Sequence, residues 1–302
     1  MPIPDIPGQP RIAVIGLGNM GSALADRLIA QGFGITVWNR SPGKAQAYAG
    51  SSAKVADSVA GAAESSDIIL VCLLDHAATM THVAIDAVAP ALRGKTLVQL
   101  TSMTAESSRA LGAWADDHDV DYLEGQIQDY PDTVREGAGT IVCAGPDTVY
   151  ASCKTVLEAI AGRVVYASQS LGSASTLVNA QLAFSFMAYA GMLHGLAMCQ
   201  KAGVSVEVFR DVMVRDYVKD GPFSDDLVAM AATAQSRAFD ETVGATLPVW
   251  LASLQEILAE NHQEGLGSDH LKAVERLMRE AIEAGHDDHD FAAVIEAINP
   301  RG

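Results

Sequence analysis

At 302 residues the chain has room for two domains with their own cores, because single hydrophobic cores stop growing near about 250–300 residues. Its formal net charge of −17 works against nucleic acid and against anionic membrane surfaces as partners. The four cysteines, Cys72, Cys143, Cys153 and Cys199, show no CxxC spacing, so they read as reduced, buried thiols of a cytoplasmic protein.

In chain order, Met1–Gln9 carries three prolines but neither basic residues nor an apolar stretch, and reads as an irregular leader rather than a signal peptide. Arg11–Ile15 (RIAVI) is an apolar strand that runs straight into Gly16, Leu17, Gly18, Asn19, Met20 and Gly21. That spacing has a physical reading. Gly16 lets the chain turn off the strand, Gly18 lets the backbone approach a pyrophosphate, and Gly21 lets the following helix pack on the strand. The helix opening at Asn19 then points unpaired N–H groups and a positive dipole end at phosphate. The second strand, Ile35–Trp38, ends on Asn39, Arg40 and Ser41 where an NAD site would present a carboxylate to the ribose. Arg40, with Lys44 nearby, offers charge to a 2′-phosphate instead, so the expected cofactor is NADPH.

Further strands are expected at 68–73, 96–99, 121–124, 140–144 and 164–167, separated by helices such as 22–31 and 105–117, the latter capped by Thr104. This alternation implies right-handed crossovers and a mostly parallel, doubly wound Rossmann sheet covered on both faces. Leu73 and Leu74 follow the third long strand, and Thr101 and Ser102 the fourth, at the carboxyl edge where ribose, pyrophosphate and nicotinamide belong.

From Val164 to Gln200 there is no Asp, Glu, Lys or Arg. A helix over 174–202 would be ~43 Å long and apolar on nearly every face, so it must be buried all round. Asn179, Gln181, Ser185 and His194 within it, and the lack of a basic flank, argue against a membrane span. A second copy of the chain is the expected cover. His194 reads as a packing residue, and Phe184, Met187, Met192, Met198 and Trp250 read as core. Beyond Gly203 only helices are expected, at 205–216, 225–237, 247–263 and 269–284, with a final turn or helix at 290–297. Gly203, Gly265 and Gly285 stand where helix ends belong. Glu207, Asp211 and Asp216 would form a wet face. The run His286, Asp287, Asp288, His289, Asp290 has metal-ligand residue types, yet crowded behind Gly285 it reads as a solvated turn with Asp288 or Asp290 as a cap, and no metal is expected. The expected division is a Rossmann domain over 1–170, a long interdomain helix over 171–203 and an all-helical domain over 204–302.

Across nearly its whole length the chain resembles the imine reductases and reductive aminases of the β-hydroxyacid dehydrogenase superfamily, which includes 6-phosphogluconate dehydrogenase. The residues that carry this are GLGNMGSALADRLIAQG with VWNRSPGKA, LTSMTAESSRALGAWADDHDVDYLEGQI followed by Pro131, and AIEAGHDDHDFAAVIEAI. A hydroxyacid dehydrogenase would carry a serine and glycine loop where this chain has LEGQIQDYP, and a lysine early on the central helix. No lysine occurs between Lys154 and Lys201, and without it alcohol oxidation lacks its general base. Imine reductases commonly place aspartate, or sometimes tyrosine, where Leu177-Val178-Asn179 aligns, so the family acid position is Asn179. An amide hydrogen-bonds but donates no useful proton. The resemblance therefore implies NADPH-dependent reduction of imines or of iminium ions from a ketone and an amine, with Asn179 orienting. Tyr189 and Tyr217 are the tyrosines available for protonation, and the active site would be shared in a homodimer. Two rivals remain open, a hydroxyacid dehydrogenase and a catalytically silent NADPH-binding sensor.

Overall fold

The computed structural model describes residues 9–221, 223–240 and 244–300, so most of the leader lies outside the described residues. The chain divides between Ala183 and Phe184 into two compact units, each treated by itself below.

The first unit is built on strands β1 (Ile12–Ile15), β2 (Ile35–Trp38), β3 (Lys54–Val55), β4 (Ile68–Val71), β5 (Thr96–Gln99), β6 (Asp121–Ile127), β7 (Thr140–Ala144) and β8 (Arg163–Ser168). They form one sheet in the order β3-β2-β1-β4-β5-β6-β7-β8, parallel throughout except where β6 meets β7. Alternate side chains divide between two cores, as the pleat requires. Ile12, Val14, Leu70 and Val98 pack with Leu24 and Leu28 of the helix Asn19–Ala30 and with Val156 and Leu157. Ala13, Ile15, Ile69, Val71 and Leu97 pack with Ala62, Leu92, Leu111 and Ala115 on the other face. A strand buried on both faces must be apolar at every position, which is why β1 and β4 read as unbroken apolar runs.

Strand β3 escapes a reading of periodicity, because two partly exposed edge residues carry no repeat. Strand β6 runs to Ile127 rather than stopping at Glu124, pairing its last residues with β7. The order reverses between β2-β1 and β4-β5, which opens a crevice at the carboxyl ends of β1 and β4.

The central helix runs Ser173–Lys201, and of its side chains only Ala174 and Ser175 are buried in the single chain. Phe184, Met187 and Met192, expected in the core, are exposed, as is Trp250. Among the described residues nothing buries them fully. By length and composition this helix could also cross a bilayer.

The second unit packs Phe239, Leu247, Leu254, Met278, Ala281 and Val294 into a small core. Helices Phe223–Ser236, Leu247–Glu264 and Asp269–Glu283 occupy the expected stretches, and Gly203, Gly265 and Gly285 take left-handed φ of 76°, 66° and 91°. The segment expected as one α-helix over 205–216 instead has a short α-turn, Val206–Phe209, continued by a π-helix, Arg210–Lys219. A short amphipathic pattern does not separate an i→i+4 ladder from an i→i+5 one. Asp290 caps the last turn, accepting from the N–H groups of Phe291, Gly244 and Ala245 and from Trp250 Nε1. His286 and His289 meet through their Nδ1 atoms at 2.9 Å, and His289 Nε2 reaches Asp240. His194 Nε2 lies 2.8 Å from Asn261 Nδ2, with His270 edge-on to its ring. Cys72, Cys143 and Cys153 are buried free thiols, whereas Cys199, expected to be buried, is only half-buried.

Candidate dinucleotide site

A cleft of about 630 Å³ opens at the strand-order reversal, within the range of a cofactor pocket. Its floor is the turn after β1: Gly16, Gly18, Asn19, Met20 and Gly21 all line it. Gly16 holds φ +100°, and a Cβ there would run into the Cys72 carbonyl. A Cβ on Gly21 would collide with the Gly16 carbonyl, so the helix could not sit so close to β1. Around Gly18 the space is open, so backbone there is free to meet a ligand. Gly18 is also the N-cap residue and has no side chain to satisfy the first turn. The N–H groups of that turn, lacking intrahelical partners, point into the cleft with the positive end of the helix dipole.

The second wall comes from the loop after β2, with Asn39, Arg40, Ser41 and Lys44. Asn39 braces this loop: its Oδ1 accepts the Leu17 N–H at 2.9 Å, and its Nδ2 donates to the Ser41 carbonyl at 3.0 Å. Leu17 itself is buried and outside the cleft lining, so its contribution is this backbone bond. Arg40 is exposed and makes no hydrogen bond or ion pair among the described residues, and Lys44 is likewise exposed. Two cations therefore stand on the β2 side of the cleft. No carboxylate stands in the Asn39–Ser41 segment to repel a phosphate there.

The third wall follows β4. Leu73 and Leu74 line the cleft, the latter almost fully exposed, together with Cys72, Asp75, Thr81 and His82. Burial pushes the Cys72 thiol up to about 12, so it is no nucleophile near neutral pH. Asp75 caps the helix His76–His82 by accepting from Ala78 N–H. Sequence reasoning missed this helix as a cleft wall, although an Asp at N-cap three residues before its partner is a readable start signal. The Leu73 N–H donates to Thr101 Oγ1 at 2.9 Å, and Thr101 is buried, which ties the loops after β4 and β5 together. Ser102 is exposed beside it, and neither residue lines the cleft.

A second hollow of about 620 Å³ lies behind the glycine helix and includes Asp26 and Tyr48. Burial first, and then its bond to Asp26, raise the Tyr48 hydroxyl to about 12. A carboxylate held there by Arg135 disfavours a phosphate, and the glycines face the other cleft.

The two sequence candidates on the central helix are also outside the cleft lining. Asn179 belongs to the first unit, is exposed, and its amide has no protein partner among the described residues. Tyr189 belongs to the second unit and is 60% exposed.

Comparison with known proteins agrees with this geometry over the whole chain. Residues 11–168 match the family described as the NAD binding domain of 6-phosphogluconate dehydrogenase, and residues 170–300 match the NADPH-dependent reductive aminase-like C-terminal domain. An NADPH-dependent reductive aminase of Aspergillus oryzae is 26% identical over 292 residues, 94% of this chain and 96% of that protein. Among solved structures, an imine reductase from Myxococcus stipitatus in complex with NADP+ is 30% identical with a TM-score of 0.84, covering 96% of this chain and 100% of that one. A reductive aminase from Aspergillus terreus in complex with NADPH4, cyclohexanone and allyl amine is 27% identical with a TM-score of 0.80, covering 96% and 99%. With both halves matched and end-to-end identity reaching 30%, the chain belongs to the imine reductase and reductive aminase family, within the 6-phosphogluconate dehydrogenase-like superfamily.

Proposed function

We propose that this protein is an NADPH-dependent oxidoreductase that reduces C=N bonds, of cyclic imines or of iminium ions formed from a ketone and an amine. The observation that carries the reading is the cleft itself: Gly16 and Gly21, where a Cβ would collide with backbone, Gly18 with open space for a ligand, a helix N-terminus without a side-chain cap, and Arg40 with Lys44 where an acid would select NAD. These residues fit a phosphorylated dinucleotide. Bound there, NADPH supplies the hydride.

The chain's own residues supply alignment. Gly18, Asn19 and Met20 would hold the pyrophosphate on backbone N–H groups, and Arg40, Ser41 and Lys44 the 2′-phosphate. Leu73 and Leu74 would flank the ribose and pyrophosphate, with Thr101 and Ser102 toward the nicotinamide. Asn179 orients substrate or nicotinamide through its amide, which can donate and accept hydrogen bonds but carries no charge. Protonation of a neutral imine then falls to water or to a tyrosine, for which we retain Tyr189. An iminium needs no such donor.

Two copies of the chain are proposed to pair along the central helix and to share each active site. The supporting observation is the row of exposed apolar side chains on that helix, Phe186 at 66% among them. We also propose a cytoplasmic location, in keeping with four free cysteines.

The test is NADPH oxidation followed with a cyclic imine, with NADP+ and a 3-hydroxyacid, and with neither. Imine reduction is expected, with hydroxyacid turnover orders of magnitude slower because no lysine lies between Lys154 and Lys201. Robust hydroxyacid oxidation would move the chain to its dehydrogenase relatives, and activity with neither substrate class would favour a silent NADPH-binding protein.

A further inference from the structure

Glu124 is a fully buried carboxylate that plays no part in the dinucleotide cleft. It sits on β6 in the LEG segment that replaces the serine and glycine loop expected of a hydroxyacid dehydrogenase. Both of its oxygens are used. Oε2 accepts the Gly172 N–H at 2.6 Å, and Oε1 accepts the Ser175 N–H at 2.7 Å and the Ser175 hydroxyl. Two residues along the strand, and so on the same sheet face, Gln126 donates from Nε2 to Ser175 Oγ at 3.1 Å. The chain enters this clamp through Gly172 at φ +92°, where a Cβ would press on Ala105.

A buried charge is costly unless charge-assisted hydrogen bonds replace its water. Here the donors are the free N–H groups at the start of the central helix, where the dipole also favours an anion. A neutral Ser or Asn would cap such a helix, but it would reach one donor rather than three. The carboxylate, seated on the sheet, fixes the first turn both in place and in rotation. Ser175 and Asn179 are four residues apart and therefore share one helix face. Whatever fixes the rotation of Ser175 sets the direction in which position 179 presents its amide.

We propose that Glu124 is a positioning residue for the reduction, acting through Ser175 on the first turns of the central helix to aim Asn179. This rests on the reading of Asn179 as the orienting group in C=N reduction. The test is a double-mutant cycle with Glu124→Gln, Asn179→Ala and their combination. It is read as kcat on a cyclic imine, as NADPH affinity, and as hydrogen exchange of the backbone amides of residues 172–176. Glu124→Gln should lower kcat about 10- to 100-fold, as misplacement of a positioned group does, with the NADPH Kd within about twofold. The double variant should be no slower than the slower single variant by more than about threefold, because coupled residues are not additive. Exchange at 172–176 should rise at least about tenfold while the helix Asn19–Ala30 is unchanged. If Glu124→Gln does not fold, Glu124→Asp enters the same cycle under the same criteria. Additive losses in kcat, or unchanged exchange at 172–176, would overturn the proposal. A parent enzyme that reduces no imine refutes the functional reading, and the proposed role falls with it; exchange then reports only whether Glu124 anchors the helix.

Discussion

At the scale of single residues, the proposed function rests on Arg40 for the cofactor and on Asn179 for the chemistry. Arg40 is a cation on the β2 side of the cleft with no ion-pair partner among the described residues, and a bond from it to a 2′-phosphate would be charge-assisted. Arg40→Ala should weaken NADPH binding by about 1.5–3 kcal/mol and leave NADH nearly unchanged. Titration of both cofactors checks this, and equal losses would remove Arg40 from the 2′-phosphate. Asn39 is of a different kind, because its amide is already engaged by Leu17 and Ser41 and shapes the loop that presents Arg40. Asn179 is exposed and its amide has no protein partner among the described residues, as a group reserved for a ligand would be. Asn179→Ala should lower kcat about 10- to 100-fold, or about 1.4–2.7 kcal/mol. The loss should be similar for a neutral imine and a permanently charged iminium, since neither takes its proton from an amide. Steady-state kcat on both substrates is the measurement. Collapse of the neutral imine alone would put Asn179 on a proton path.

At the scale of elements, helix ends do much of the positioning. The helix after β1 begins without a side-chain cap and leaves its donors to the cleft, whereas the helix at His76 is capped by Asp75 and the one at Ala105 by Thr104. With open space at Gly18 as well, the first of these is the proposed anion site. In the second unit Asp290 joins three segments by accepting from Phe291, Gly244, Ala245 and Trp250. Burial alone would raise its carboxyl, but these hydrogen bonds outweigh it and hold Asp290 below its ordinary value of 3.8. A carboxyl lowered in the folded state contributes stability above the unfolded pKa and loses it as pH falls through the folded one. Asp290→Ala should therefore destabilise by about 1–2 kcal/mol at neutral pH, and the gap from the parent should close as pH drops below about 4. Denaturant melts at pH 7 and in acid check this. A gap independent of pH would show that the charge contributes nothing.

At the scale of the whole molecule, the exposed apolar side chains of the central helix dominate. Leu177 and Leu182 in the first unit, and Phe186, Met187, Tyr189 and Leu193 in the second, are each at least 46% exposed. An apolar surface of this extent supports the proposed pairing of two copies. Sedimentation velocity at micromolar concentration should find a dimer and no stable monomer, and an active folded monomer would refute the pairing. Val212, Val214, Tyr217 and Val218 on the π-helical segment are exposed as well, so the proposed interface is not expected to stop at one helix.

By itself the sequence determined the alternation of strands and helices, because strands buried on both faces must be apolar throughout and the turns between them must be polar or glycine-rich. It also made the glycine turn legible, because Gly21 meets the Gly16 carbonyl within the turn itself and because Asn39, Arg40 and Ser41 follow directly on the second strand. What only the tertiary structure decided depends on groups distant along the chain. The two-residue β3 exists only by pairing with β2. The wall formed by Asp75, Thr81 and His82 depends on how its helix lies across the crevice, and Thr101 turned inward to hold Leu73. The clamp of Glu124 on Gly172 and Ser175 spans about fifty positions of sequence, 48 and 51 by count. No periodicity records such a contact, because a charge is buried only when folding brings its donors to it.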